Sequence, residues 1–86
     1  RQRVVLHVAG AVANYFKRRQ LIPNQQIERE LLDGDILVST TVAQADEVLS
    51  IVRYWIPHVR ILEPVEFQQQ LEAGLAGYLA VGDADS

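Results

Sequence analysis

The chain has 86 residues, of which 49% are hydrophobic and 22% are charged. This apolar content excludes a disordered tail, and the length suits one small domain. The absence of cysteine excludes disulfides and thiolate metal sites. Eight basic and eleven acidic residues give a net charge of −3, which disfavours phosphate binding over a broad face. No apolar run is long enough to span a membrane. Because the sequence contains no methionine, we interpret it as part of a longer protein.

The chain opens with the pattern of a strand followed by that of a helix. Apolar and more polar residues alternate over positions 3–8, which is the two-residue period of a strand. The apolar members of this alternation are Val4, Leu6 and Val8. Helical spacing follows over residues 11–19. The basic cluster Lys17-Arg18-Arg19 lies in the last turn of this helix, where positive charge interacts favourably with the helix dipole.

Two further strands are predicted over residues 25–32 and 35–42, on either side of Asp33-Gly34. An Asp-Gly pair is typical of a type I′ turn, in which both central residues have positive φ. We therefore predict that these two strands form an antiparallel hairpin. On the first of them, Glu28 and Glu30 are expected to share one face, because side chains alternate along a strand.

The second half of the chain predicts a helix, a short strand and a last helix. The first helix, over residues 44–56, carries a continuous apolar stripe and ends at Pro57. A strand over residues 59–62 follows, and Pro64 suits the first position of the last helix. The apolar face of that helix comprises Phe67, Leu71, Leu75, Tyr78 and Leu79. Residues 81–86 are expected to form a frayed acidic tail, which leaves residues 1–80 as the domain.

The predicted element order is β-α-β-β-α-β followed by a helix, which is that of two split βαβ units. We therefore predict an α+β, ferredoxin-like sandwich with a four-stranded antiparallel sheet. Both crossover helices are expected on one face of the sheet, and the last helix is an addition at the C-terminus. The other face is then open. The last helix, a ligand or a second chain should cover this face unless it is polar.

No residue pattern predicts catalysis or a metal site. The two histidines, His7 and His58, lack the spacing of metal ligands, and motifs for a serine nucleophile or a phosphate loop are missing. An enzyme of the acylphosphatase type needs an arginine where Ala11 stands, so we disfavour that activity. We accordingly predict no catalytic residue, no metal and no cofactor.

Several polar side chains are candidate contacts for a ligand or a partner instead. Arg3 and His7 share a strand face that is open if the helices cover Val4. Arg29 and Arg60 lie on other strands and offer positive charge to an anion, although sequence parity leaves their faces undecided. The full set of candidate contacts is Arg3, His7, Lys17, Arg18, Arg19, Arg29, Tyr54 and Arg60.

Three segments of the sequence, taken together, resemble one known protein family. They are the Asp33-Gly34 turn, Trp55-Ile56 at the end of a helix, and Ile61-Leu62-Glu63-Pro64 followed by Phe67 and Leu71. Together they resemble the C-terminal extension, called WCX, of WYL-domain transcriptional regulators. The resemblance covers nearly the whole chain and rests mostly on residues that determine the fold.

The resemblance implies a cytoplasmic bacterial regulator. Such a protein has an N-terminal winged helix-turn-helix that binds DNA, a central WYL domain that senses an effector, and this extension. It implies homodimerisation, contact with the WYL domain of the same regulator, an anionic or nucleic-acid effector and no membrane association. A small-molecule-binding regulatory domain of similar topology, of the amino-acid-sensing type, is the alternative. Its support is Gly10, between the first strand and the first helix.

Overall fold

A computed structural model describes residues 1–84, which form four strands and three helices. In chain order the elements are β1 (Gln2–Val8), α1 (Gly10–Arg18), β2 (Gln26–Glu30), β3 (Ile36–Val42), α2 (Asp46–Trp55), β4 (Val59–Glu63) and α3 (Val65–Ala84). The predicted order of elements is confirmed. Within the described residues, no helix combines the length and the apolar character needed to cross a bilayer.

The four strands form one antiparallel sheet in the order β2-β3-β1-β4. The two halves of the chain therefore interleave, with β1 between β3 and β4. Val4, Leu6 and Val8 of β1 are fully buried and face the helical layer. Phe16 of α1 and Leu49 of α2 pack onto them in the same core. The predicted ferredoxin-like fold is confirmed, and both crossover helices lie on the Val4 side of the sheet.

The hairpin between β2 and β3 closes through a three-residue loop, Leu32-Asp33-Gly34. The Leu31 N–H donates to the Asp35 carbonyl at 2.8 Å, and the Gly34 N–H donates to the Leu31 carbonyl at 3.1 Å. Gly34 has φ +91°, whereas the φ of Asp33 is not positive. The hairpin is thus confirmed but the type I′ turn is wrong. A three-residue loop that ends in one left-handed residue takes its place.

A β-bulge in β2 makes the predicted shared face of Glu28 and Glu30 wrong. The register passes from Ile27–Val38 directly to Arg29–Leu37, so β2 has one extra residue at this point. Glu28 then lies on the open face, where Ser39 Oγ donates to its Oε2 at 2.5 Å. Glu30 lies on the helical side and forms an ion pair with Lys17.

The C-terminal helix α3 packs beside the edge strand β4 and against α2. Leu71 enters the core, and Gln68 Oε1 accepts the Ile61 N–H at 2.9 Å. The helix therefore covers the outer edge of β4 rather than the open face of the sheet. It begins one residue after Pro64 and continues through Ala84. Residues 85 and 86 of the expected tail lie outside the described residues, so its fraying stays a prediction.

Candidate ligand and partner surfaces

Four of the candidate contact residues lie on the open face of the sheet. Arg3 and His7 lie on β1 opposite the buried face, and His7 is directly paired with Arg60 of β4. Arg29 is paired with Leu37, which is itself paired with His7. Directly paired residues point to the same side of a sheet. The structure thus places Arg29 and Arg60, whose faces sequence parity left undecided, on the same face as Arg3 and His7. Strand β3 separates Arg29 from the strand of Arg3.

Carboxylates balance much of the positive charge on the open face. Arg3 Nη2 lies 3.7 Å from Glu28 Oε2, and Arg60 Nη2 lies 3.3 Å from Glu72 Oε2. These pairs are largely exposed and contribute at most about 1 kcal/mol each. A shallow cavity of about 340 Å³ on this face is lined by polar side chains that include Arg3 and Glu28. The open face is therefore polar and does not require a second layer to cover it.

The carboxylate of Asp35 joins the start of α1 to the sheet. Its Oδ2 accepts a hydrogen bond from His7 Nε2 at 2.6 Å, and its Oδ1 accepts the Gly10 N–H at 2.6 Å. No acidic residue lies in the first turn of α1. Asp35, at the end of the hairpin loop, supplies the negative charge that the helix N-terminus favours. His7 is thus half-buried and hydrogen-bonded within the chain.

We expect this link to make stability depend on pH under acidic conditions. The hydrogen bonds from His7 and then from the Gly10 N–H hold the pKa of Asp35 below its ordinary value of 3.8. Stabilisation by a carboxylate with a lowered pKa is complete above the ordinary value and is lost as the pH falls through the folded-state pKa. In urea unfolding, Asp35→Asn should lower stability at pH 7. The difference in the free energy of unfolding between Asp35→Asn and the wild type should become smaller below about pH 3.8. A gap that is the same at all pH values would contradict this role.

The side chain of Gln25 fixes the end of α1 and the loop that follows. Its Nε2 donates to the carbonyls of Phe16 and Arg19, at 2.7 and 3.2 Å. Its Oε1 accepts the N–H groups of Leu21 and Ile22, at 3.0 and 3.3 Å. The backbone at the basic end of α1 is therefore held by a side chain rather than by a glycine cap.

Tyr15, Tyr54 and Trp55 form a surface that we call the aromatic shelf. The ring centroid of Trp55 lies 5.6 Å from that of Tyr15 and 5.4 Å from that of Tyr54. Underneath, the Phe16 ring lies 5.3 Å from Trp55 and is buried in the core. Tyr15 is 59% exposed and Tyr54 is 80% exposed. The shelf is therefore anchored by the core and presents aromatic surface to solvent.

A cavity of about 300 Å³ lies where the aromatic shelf meets the basic end of α1. Its lining residues are Tyr15, Arg18, Arg19, Leu21 and Trp55. A second cavity, of about 440 Å³, borders the other side of Tyr15 and reaches Tyr54 and His58. Among residues 1–82, Arg18 and Arg19 have no carboxylate within ion-pair distance. The aromatic shelf thus lies beside two arginine side chains, Arg18 and Arg19, that help to line the cavity.

Charge is distributed unevenly along the chain. All eleven acidic residues lie at or after Glu28, whereas five of the eight basic residues precede it. Helix α1 therefore carries basic residues and no acidic ones. Of the basic cluster Lys17-Arg18-Arg19, Lys17 forms an ion pair with Glu30.

The eight candidate contacts fall on separate surfaces. Arg3, His7, Arg29 and Arg60 share the open face, while Arg18, Arg19 and Tyr54 gather at the aromatic shelf on the helical side. Lys17 lies apart, in its pair with Glu30. Sequence reasoning missed Tyr15 and Trp55 as surface residues because their helical spacing resembles that of core residues. It missed Asp35 because turn residues are commonly acidic, although the predicted pairing of strands could have placed it near β1.

Comparison with known proteins gives the family. Among the described residues, no group of three or more His, Asp or Glu side chains is placed to hold a metal ion. No curated protein matches the chain. The sequence model of the WCX domain matches residues 1–79, which include the whole sheet and most of α3. This match agrees with the resemblance carried by the Asp33-Gly34 turn and the Ile61–Pro64 segment. The chain therefore belongs to the WCX domain family, whose members are regulatory C-terminal domains.

Proposed function

We propose that this chain is the non-catalytic dimerisation and effector-response module of a bacterial WYL-type transcription regulator. The parent protein would be cytoplasmic and would bind DNA through a separate domain. Membership of the WCX family supports this role.

The observation that carries the effector half of this proposal is the cavity between the aromatic shelf and the basic end of α1. A volume of about 300 Å³ is in the range of small-ligand sites. Aromatic rings stack on flat unsaturated groups, and guanidinium groups bind phosphate or carboxylate oxygens. The ligand class that fits is therefore a planar group bearing negative charge, such as a base of a single-stranded nucleic acid with its phosphate.

The open face of the sheet fits the effector role less well. Its guanidinium groups at Arg3 and Arg60 already have carboxylate partners, and the cavity there is polar. An anion would have to compete with Glu28 and Glu72. We therefore assign the open face to contact with the WYL domain of the same regulator.

The amino-acid-sensing alternative has little support at the turn between β1 and α1. The Gly10 N–H, which would meet a ligand carboxylate, already donates to Asp35 Oδ1 at 2.6 Å. A Cβ added at Gly10 would lie 3.3 Å from the Gly34 backbone. Glycine at this position thus allows the hairpin to approach closely, and the Asp35 carboxylate occupies the place that a ligand carboxylate would take.

We expect the chain to bind a fluorescein-labelled oligothymidylate of about eight nucleotides through the aromatic shelf. Arg18→Ala/Arg19→Ala should weaken binding by about tenfold or more, because each lost phosphate contact removes a charge-assisted hydrogen bond. The plot of the logarithm of the binding constant against the logarithm of the salt concentration should become less steep, by about 0.7 for each lost phosphate contact. Fluorescence anisotropy at about 50 and about 200 mM salt measures both quantities.

Arg3→Ala/Arg29→Ala is the matched control, since it removes the same charge from the open face. Its affinity should remain within about twofold of that of the wild type, apart from general screening. Equal losses in the two double variants would show that net charge alone governs binding. A larger loss in the control would place the effector on the open face instead.

A further inference from the structure

The second half of α3 projects away from the domain. The radius of gyration is 13.8 Å and the longest dimension is 43 Å. A compact domain of this length has a radius of gyration of about 12 Å. Every described side chain after Leu71 is exposed on α3, so the helix continues well beyond the strand and the helix that support its first half.

The projecting half of α3 continues the apolar stripe that is buried in the first half. Phe67 and Leu71 pack against the core, and Leu75, Tyr78 and Leu79 follow at helical spacing on the same side. Tyr78 is 78% exposed and Leu79 is 66% exposed. Residues 73–82 contain no charged side chain. An uncharged helix segment with an exposed apolar stripe marks an interaction surface.

No contact among the described residues requires glycine at Gly74 or Gly77 of α3. A Cβ added at Gly74 or at Gly77 would meet no atom within 4 Å. Close packing inside the domain therefore does not explain why glycine stands at these positions, where it weakens the helix. Gly74 lies three residues after Leu71 and therefore on the apolar stripe. At that position it allows another helix to approach closely.

The base of α3 carries a groove that complements its projecting end. This cavity, of about 350 Å³, is lined mainly by apolar side chains from the end of α2, β4 and α3. Its lining residues are Ile56, Pro57, Val59, Arg60, Gln68, Leu71, Glu72 and Leu75. The charged members, Arg60 and Glu72, neutralise each other in an ion pair. The groove at Leu71 and the apolar end at Leu79 lie about 12 Å apart along one helix.

We infer that the second half of α3 binds a second copy of this chain, with the two helices antiparallel about a two-fold axis at Leu75. A two-fold axis exchanges the two ends of the contact, so Leu79 of each copy would enter the groove at Leu71 of the other. Leu75 would meet its own equivalent, and Gly74 would let the helices approach. The inference rests on the dimerisation part of the proposed function and names its surface.

The same geometry sets the strength of the contact. Because each copy contributes only one helix segment and one groove, we expect the contact to bury less than the roughly 800 Å² per partner of a standard interface. We therefore expect a dimer that dissociates on dilution, with a dissociation constant on the order of micromolar. Apart from Arg60, which also lines the groove, the residues of the open face take no part in this contact, so most of that face is left for another domain.

Sedimentation velocity of the 86-residue chain over a range of concentrations tests the surface. Leu79→Glu places a charge in the groove and should raise the dissociation constant at least about tenfold. Leu32→Glu, the same substitution at the fully exposed hairpin tip, is the matched control and should leave it unchanged. Circular dichroism confirms that both variants are folded.

Single cysteines test the register, because the chain has none of its own. Leu75→Cys should form a disulfide-linked dimer on mild oxidation, whereas Leu79→Cys should not, since its partner position is Leu71. Equal cross-linking of the two variants would refute the antiparallel arrangement. A dimer that Leu79→Glu leaves intact would refute the α3 surface while dimerisation stands. A wild-type monomer at all concentrations would overturn both, and would leave α3 to a neighbouring domain.

Discussion

Phe16→Ala is expected to lower the free energy of unfolding by about 3–5 kcal/mol, since it removes a large ring from the core. Phe16 is 1% exposed and lies between the sheet and Trp55. For a domain of this size the loss corresponds to a fall in melting temperature of more than about 12 °C. Urea and thermal unfolding followed by far-ultraviolet circular dichroism measure the effect.

Tyr54→Ala is the matched comparison, because Tyr54 also packs on Trp55 but from the solvent side. Its removal should change stability by no more than about 1.5 kcal/mol, the contribution of one aromatic pair. Ligand binding at the aromatic shelf should nevertheless weaken. If the two variants lost similar stability, Tyr54 would belong to the core, and its assignment to a binding surface would be incorrect.

Gly34→Ala should destabilise the protein by about 1–2 kcal/mol, because φ +91° is unfavourable for a residue with a Cβ. The added methyl group itself meets open space, so backbone conformation alone causes the effect. Gly77→Ala, on the exposed back of α3, should instead stabilise the chain by about 0.5–1 kcal/mol. Denaturant unfolding of both variants measures the change in the free energy of unfolding, which should have opposite signs in the two. A neutral Gly34→Ala would contradict the loop conformation described above.

Periodicity predicted the fold well because burial imposes it. The alternation of Val4, Leu6 and Val8 predicted that these side chains share one face of β1, and all three are fully buried. The stripe of α2 predicted its buried face, where Val48, Leu49 and Val52 lie. In each case one side of the helix or strand is buried away from water, so apolar residues recur in the sequence with the period of that element.

The local departures and the binding surfaces depend on contacts between distant residues. The bulge in β2 is invisible to periodicity, because every side chain of that edge strand is exposed. The aromatic shelf requires Tyr15 and Trp55 to meet across two helices. Likewise, the faces of Arg29 and Arg60 follow from strand register, which no local pattern specifies. Such features are fixed by pairing in three dimensions rather than by composition.

The shared carboxylate of Asp35 has a mechanical consequence. Because the Asp35 carboxylate accepts hydrogen bonds from both His7 of β1 and the Gly10 N–H of α1, displacing the hairpin tip from α1 would break both contacts. A force that pulls the tip outward would withdraw the charge at the start of α1. The start of α1, the helix whose last residue is Arg18, would then lose the carboxylate that accepts its first N–H.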